Sequence, residues 1–215
     1  MESLIPRERA EIAPGAVHLP DWLDLDQQRE LVVACREWAR SPAGMRSARL
    51  PSGGVMSVRT VCLGWHWYPY RYSRTVDDGD GSAVTPFPDW LGDLGRRALA
   101  DAYGHSAHGY RPDVALVNFY DDTARMGMHQ DRDEQSQEPV VSLSLGDTCV
   151  FRFGNTENRN RPWTDVELCS GDVFVFGGES RLAYHGVPKT YRGTGPDVGM
   201  TAGRLNITLR VSGMD

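Results

Sequence analysis

The sequence predicts an α+β protein in which two helices precede a many-stranded jelly roll or barrel. Three observations carry that expectation. Two stretches in the first half place apolar residues at helical spacing. From about residue 112 onward, short β-prone segments follow one another, broken by Gly, Pro, Asn and Asp. No βαβ alternation and no internal repeat appears, which argues against a parallel, doubly wound sheet.

The first helix lies in "PDWLDLDQQRELVVACREWARSP". Leu31, Val32, Cys35 and Trp38 form its apolar stripe, Asp24 or Asp26 offers an N-cap, and Pro42 ends it. The second lies in "PDWLGDLGRRALADAYG", with Leu91, Leu94, Ala98 and Leu99 on one side and Gly104 past its end. Between them, "LPSGGVMSVRTVCLGWHWYPYRYSR" combines turn glycines, short β-prone runs and clustered aromatics, and "TVDDGDGSAVTPFP" reads as a loop. The strand-like segments are "VALVNFY", "VVSLSLG", "TCVFRFG", "VELCSGDVFVFGG", "LAYHGVP" and "RLNITLRVS". One compact domain results, with an N-terminal extension over 1–110 and a β core over 111–215.

Composition narrows the function classes. With 215 residues, 40% of them hydrophobic, the chain can build one sizeable core. It contains no run of about 18 apolar residues, so no membrane-spanning helix is expected. The N-terminal "MESLIPRERAEIAPG" lacks the apolar stretch of a signal peptide. Cys35, Cys62, Cys149 and Cys169 form no CxxC pair and read as buried thiols of a cytoplasmic protein. A net charge of −6 gives no overall attraction to nucleic acid or membrane. A nucleic-acid site would have to be a local patch, drawn from Arg46, Arg49 and Arg59, from Arg71 and Arg74, or from Arg152, Arg159 and Arg161.

The chemistry concentrates in "GMHQDRDE", where His129 and Asp131 share one face of an extended chain. Such a pair is a metal grip, a catalytic pair or a solvated polar edge. Iron(II) in oxygenases takes two histidines and a carboxylate and keeps open positions. Of the other histidines, His18 and His66 lie in the N-terminal half and His105 and His108 beside a helix end. His185, in "LAYHGVP", lies in the strand region. In "RLNITLR", Arg204, Asn206, Thr208 and Arg210 alternate with Leu205, Ile207 and Leu209. The simpler reading is a half-buried strand with its polar face in water. The sharper one is a cavity wall able to hold a dicarboxylate.

Taken together, "VNFY", "HQDRDE", "VVSLSLG", "FRFG", "GDVFVFGGESRLAYHG" and "RLNITLR", with "GGVMS" and "LGW" upstream, resemble the AlkB family. These are iron- and 2-oxoglutarate-dependent dioxygenases that dealkylate nucleic-acid bases. The resemblance implies a double-stranded β-helix core, Fe(II) on His129, Asp131 and His185, and O2 as co-substrate. It implies 2-oxoglutarate held by Asn118, Tyr120, Arg204, Asn206 and Arg210, with Thr208 on the same wall, so that the polar face of the last strand turns inward. It places the N-terminal segment as a lid, with Trp65 stacked on the target base, Tyr70 and Tyr72 near the substrate backbone, Asp133 beside the base and Arg159 on the substrate. For Trp65 the competing reading is core packing. The implied substrates are alkylated bases of the 1-methyladenine and 3-methylcytosine type in single- or double-stranded DNA, and in RNA or tRNA, acted on by a monomer with release of formaldehyde, succinate and CO2. The alternative is a dioxygenase of the same fold that hydroxylates or demethylates a protein or small molecule. Two departures stand out: a shorter lid, and Phe176 where the family pattern has tryptophan.

Overall fold

The computed structural model describes residues 6–215, so the first five residues of the N-terminal stretch read above lie outside the described residues. In chain order the elements are β1 (Ala10–Ala13), β2 (Ala16–Leu19), α1 (Leu25–Arg40), β3 (Arg59–Leu63), β4 (His66–Tyr68), β5 (Arg71–Ser73), α2 (Asp89–Tyr103), β6 (Val114–Tyr120), β7 (Met126–His129), β8 (Val140–Gly146), β9 (Thr148–Phe153), β10 (Thr164–Leu168), β11 (Val173–Phe176), β12 (His185–Tyr191) and β13 (Arg204–Arg210).

The start of α1 and the end of α2 are set by local chemistry. Asp24 caps α1: its carboxylate accepts from the Gln27 amide at 2.8 Å, and the Gln27 side chain accepts from the Asp24 amide at 3.0 Å. Asp26 lies inside the first turn, where its charge suits the positive end of the helix. Gly104, at φ 69°, closes α2 in the left-handed conformation.

The strands pair antiparallel into two facing sheets, a jelly-roll core. The major sheet runs β1-β2-β11-β8-β13-β6-β3, the minor sheet β10-β9-β12-β7, and β4 and β5 make a separate hairpin. Strand alternation sets what each face buries. Leu205, Ile207 and Leu209 of β13, Val141, Leu143 and Leu145 of β8, and Val173 and Val175 of β11 pack with Leu31, Val32, Leu91, Leu94 and Ala98 of the helices. The opposite face looks between the sheets. There Phe151, Phe153, Phe174 and Phe176 fill one end, with ring centroids 4.8 Å apart for Phe151 and Phe174. The other end is polar.

The N-terminal 1–110 region is not a separate layer. It supplies β1, β2 and β3 to the major sheet, where β2 pairs with β11 and β3 with β6. These strands satisfy backbone groups that β11 and β6 would otherwise leave unpaired. The β1–β2 hairpin turns at Gly15 (φ 75°), where a Cβ would lie 2.4 Å from the Gly177 carbonyl oxygen. Cys35, Cys62 and Cys149 are buried, but Cys169 is only half-buried, because it sits in the turn before β11. No helix among the described residues is long and apolar enough to cross a membrane.

Candidate active site

His129 ends β7, Asp131 follows it, and His185 begins β12. The β7–β12 pairing sets His185 directly opposite His129, with ring centroids 4.4 Å apart. Each imidazole is oriented from behind. Nδ1 of His129 donates to the Gly127 carbonyl at 2.9 Å, and Nδ1 of His185 to the Ala183 carbonyl at 3.0 Å. Those contacts leave both Nε2 atoms as lone-pair donors. They lie 3.5 Å from Asp131 Oδ1 and 3.7 Å from Asp131 Oδ2 respectively. One ligand atom from each residue fits within 4.8 Å of the others. Asp131 Oδ2 is buried and has no hydrogen-bond partner. A buried carboxylate oxygen left open beside the His185 nitrogen, with the His129 nitrogen close to the same carboxylate, suits a divalent metal, and this donor set suits iron(II).

The electrostatics agree at His185 and Asp131, whereas at His129 burial is outweighed by the Asp131 carboxylate, which raises the pKa. Burial lowers the His185 pKa to about 4, so its ring is neutral and able to ligate at neutral pH. Burial opposes the Asp131 charge, yet Arg210, then His185 and His129, hold the carboxyl well below the usual carboxylate range.

The polar face of β13 lines the same cavity. Arg204, Asn206, Thr208 and Arg210 meet Asn118 and Tyr120 of β6 there, with Asn206 opposite Asn118 and Arg204 opposite Tyr120. The solvent-facing reading of "RLNITLR" therefore fails: both faces of this strand are covered. Arg204 is 1% exposed. Its Nη2 donates to Ser144 Oγ at 2.8 Å, while Nε and Nη1 are buried without a partner. A buried guanidinium with no anion is costly, and it calls for an anionic ligand. Arg210 differs, since it already meets Asp131 and Glu134, each at 2.8 Å. Ser142, which accepts from Asn206 at 2.7 Å, and Ser144 were not anticipated as site residues. The signal was their alternate spacing in "VVSLSLG".

Outside the metal triad a cleft of about 460 Å³ opens, within the range of small-molecule sites. Tyr70, Asp133 and Arg159 line it. Tyr70 is 63% exposed and at φ 72°. Two side chains expected at the substrate do not line this cleft. Trp65 does not reach the cleft. It is 7% exposed, packs with Cys62, Val114 and Leu116, donates to Asp113 Oδ2 at 3.0 Å, and carries the Arg74 guanidinium 3.6 Å above its ring. Gly64, at φ 76°, turns the chain between β3 and β4 and leaves Trp65 in that corner. Trp67, on β4, lines the cleft instead and donates to Asp133 Oδ2 at 2.8 Å. Tyr72 is the second. It does not line the cleft: its hydroxyl donates to Glu134 Oε1 at 2.5 Å and accepts from Arg210 at 3.3 Å. On β5 it stands directly across from Trp67, so the hairpin presents Trp67 at the cleft and Tyr72 to a buried ion pair.

Trp65→Ala should cost about 3–5 kcal/mol, the usual loss for a buried large aromatic, and Trp67→Ala clearly less. Urea unfolding of both variants checks it; a larger loss at Trp67 would return Trp65 to the cleft.

Comparison with known proteins decides the family. The 2OG-Fe(II) oxygenase superfamily matches residues 15–210. The alpha-ketoglutarate-dependent dioxygenase AlkB homolog of Caulobacter vibrioides is 40% identical over 202 residues, 93% of this chain and 88% of that one. This chain belongs to the AlkB family of 2OG-Fe(II) oxygenases. Its similarity to AlkB of Escherichia coli is 38% identity over 80% of each chain. The solved structure of OsALKBH1 superposes with a TM-score of 0.84 at 32% identity, covering 94% of this chain and all of that one. DNA N(6)-methyladenine demethylase ALKBH1D of Arabidopsis thaliana is 34% identical over 93% of this chain. The chain spans about half the length of that relative and of ALKBH1C from the same plant. Within the AlkB-family cavity, Phe176 packs its ring 4.9 Å from that of His185.

Proposed function

We propose that this chain oxidatively demethylates alkylated bases in single- or double-stranded DNA, with RNA and tRNA as further substrates, and works as a monomer. The observation that carries the reading is the continuity of three parts. The metal triad and the β13 wall share one cavity, and the cleft walled by Trp67, Tyr70, Asp133 and Arg159 reaches His129 and Asp131 from outside. Iron(II) with 2-oxoglutarate and O2 supplies oxidation of a C–H bond, yielding succinate and CO2. Such chemistry suits an N-methyl group, which resists hydrolysis but departs as formaldehyde once its carbon is hydroxylated.

Each residue then has a task. His129, Asp131 and His185 hold the iron. Arg204 binds one carboxylate of 2-oxoglutarate, and Arg210, Asn118, Tyr120, Asn206 and Thr208 complete its site. Trp67 offers an aromatic face to a base that is flipped out or already unpaired; such stacking contributes about 1–3 kcal/mol per base. Tyr70 and Arg159, at the mouth, contact the backbone. Release of formaldehyde and loss of mass from single-lesion DNA and RNA oligonucleotides test the reading. No demethylation of any of them, alongside succinate formation with a protein or small molecule, would overturn it.

Asp133 sets the charge preference. Its carboxylate lines the cleft with one oxygen bound to Trp67 and the other free for substrate. The 1-methyladenine and 3-methylcytosine rings are cationic near neutral pH, whereas N6-methyladenine, for which ALKBH1D and ALKBH1C of Arabidopsis thaliana are named, is neutral. At 4 Å a charge pair contributes roughly 1–4 kcal/mol, depending on the water that remains. Asp133→Asn keeps an acceptor for Trp67 and removes the charge. It should lower kcat/KM on 3-methylcytosine by about tenfold or more, the equivalent of 1.4 kcal/mol, and change N6-methyladenine far less. Equal losses on both would mean that Asp133 acts only through Trp67.

A further inference from the structure

Glu134 touches neither the cavity nor the cleft, yet it is the hub behind the metal site. Its side chain is completely buried. Oε1 accepts from Arg210 Nη1 at 2.8 Å and from the Tyr72 hydroxyl at 2.5 Å, and Oε2 accepts from Arg181 Nη2 at 3.1 Å. Both arginines continue to Asp131. Arg210 Nη2 meets its carboxylate Oδ1 at 2.8 Å, and Arg181 Nη1 donates to its backbone carbonyl at 2.5 Å. Arg181 is anchored in turn by its Nε on the Glu138 carbonyl at 2.8 Å. Asp131 is thus gripped at both ends by guanidinium groups, and Glu134 is the anion between them. Two buried carboxylates face two buried guanidinium groups, so the cluster is balanced without the metal.

We propose that Glu134 is a positioning residue for the metal-ligating carboxylate: by balancing Arg210 and Arg181, it confines Arg210 to Oδ1 of Asp131 and leaves Oδ2 to the metal. The free state of Oδ2, buried and without a hydrogen bond, is the sign of that division. Without Glu134, Asp131 is the one carboxylate left beside Arg210. A guanidinium favours a two-oxygen fork on a carboxylate, and in that geometry Arg210 competes with the metal for its ligand. The inference rests on the metal site and not on the choice of substrate. Partners that orient a ligand from outside the coordination sphere typically change metal affinity about 10–100-fold.

The test is calorimetric titration of the full chain with Mn2+, without co-substrate, with the melting of each metal-free variant recorded as a check on folding. Glu134→Gln keeps the shape and loses the charge; it should bind Mn2+ about 10–100-fold more weakly. Glu134→Asp keeps the charge at shorter reach and should fall between that variant and the original chain. Adding Arg210→Gln to Glu134→Gln should recover most of the affinity, because the competitor is gone; a merely structural role for Glu134 gives no such recovery. A folded Glu134→Gln with undiminished Mn2+ affinity overturns the proposal, as does a double variant no better than the single. If Glu134→Gln does not fold, Glu134→Asp decides: undiminished affinity there overturns it too. Failure of the metal site itself is distinguishable, since it would appear as Mn2+ binding unaffected by Asp131→Ala.

Discussion

Alanine at His129, Asp131 or His185 is expected to abolish turnover, with a loss well beyond the roughly 10–100-fold of an outer-sphere change. Each variant removes one of three donors whose atoms lie within 4.8 Å of one another. The three should differ in stability. His129 sits at a strand end with its side chain 36% exposed, so its replacement costs little packing. His185 packs against Phe151 and Phe176, so its replacement opens a small cavity. Asp131→Ala leaves Arg210 with Glu134 alone and should be the most disruptive electrostatically. Metal affinity and thermal melting, measured beside succinate formation at limiting iron, separate lost ligation from lost fold. Full activity in any one variant removes that residue from the ligand set.

The second large effect belongs to Arg204. Arg204→Met keeps the length of the side chain and removes the cation. Losing one partner of a buried, hydrogen-bonded charge pair costs about 2–5 kcal/mol, which is roughly a 30- to several-thousand-fold rise in the dissociation constant of 2-oxoglutarate. The same substitution should leave the ligand-free protein no less stable, because the guanidinium is buried without a counter-anion. Arg210 offers the contrast, being already matched by two carboxylates. Calorimetry with 2-oxoglutarate and melting of the apoprotein read the two effects. An unchanged dissociation constant for Arg204→Met would place the co-substrate elsewhere in the cavity.

Much of this was legible in one dimension, for local reasons. The cap at Asp24, the stop at Gly104 and the stripes of both helices depend on neighbours within a few residues. The i, i+2 spacing of His129 and Asp131 and the alternation in "RLNITLR" depend only on the period of an extended chain. Resemblance to a known family added which strands carry the site. The β1–β2 hairpin was missed because "AEIAPGAVHL" has no clear alternation; its strands are held by a sheet edge distant in sequence.

The amino-acid sequence by itself determined the kinds of element, the two faces of each strand and the stock of metal-binding and anion-binding side chains. The tertiary structure alone decided which of those faces and side chains meet. Alternation separates Arg204, Asn206, Thr208 and Arg210 from Leu205, Ile207 and Leu209, but both sets are equally consistent with a strand open to water on one side. Only the second sheet, closing over the polar set, makes it a cavity wall. Likewise His185 becomes a partner of His129 through the β7–β12 register. Among the lid aromatics, residue type cannot tell Trp65 from Trp67. The turn at Gly64 buries the first against Asp113 and Arg74 and sends the second to the cleft. Spacing along a chain sets the direction of a side chain relative to its own backbone; what it meets there is set by strands and loops that the chain brings back from far away.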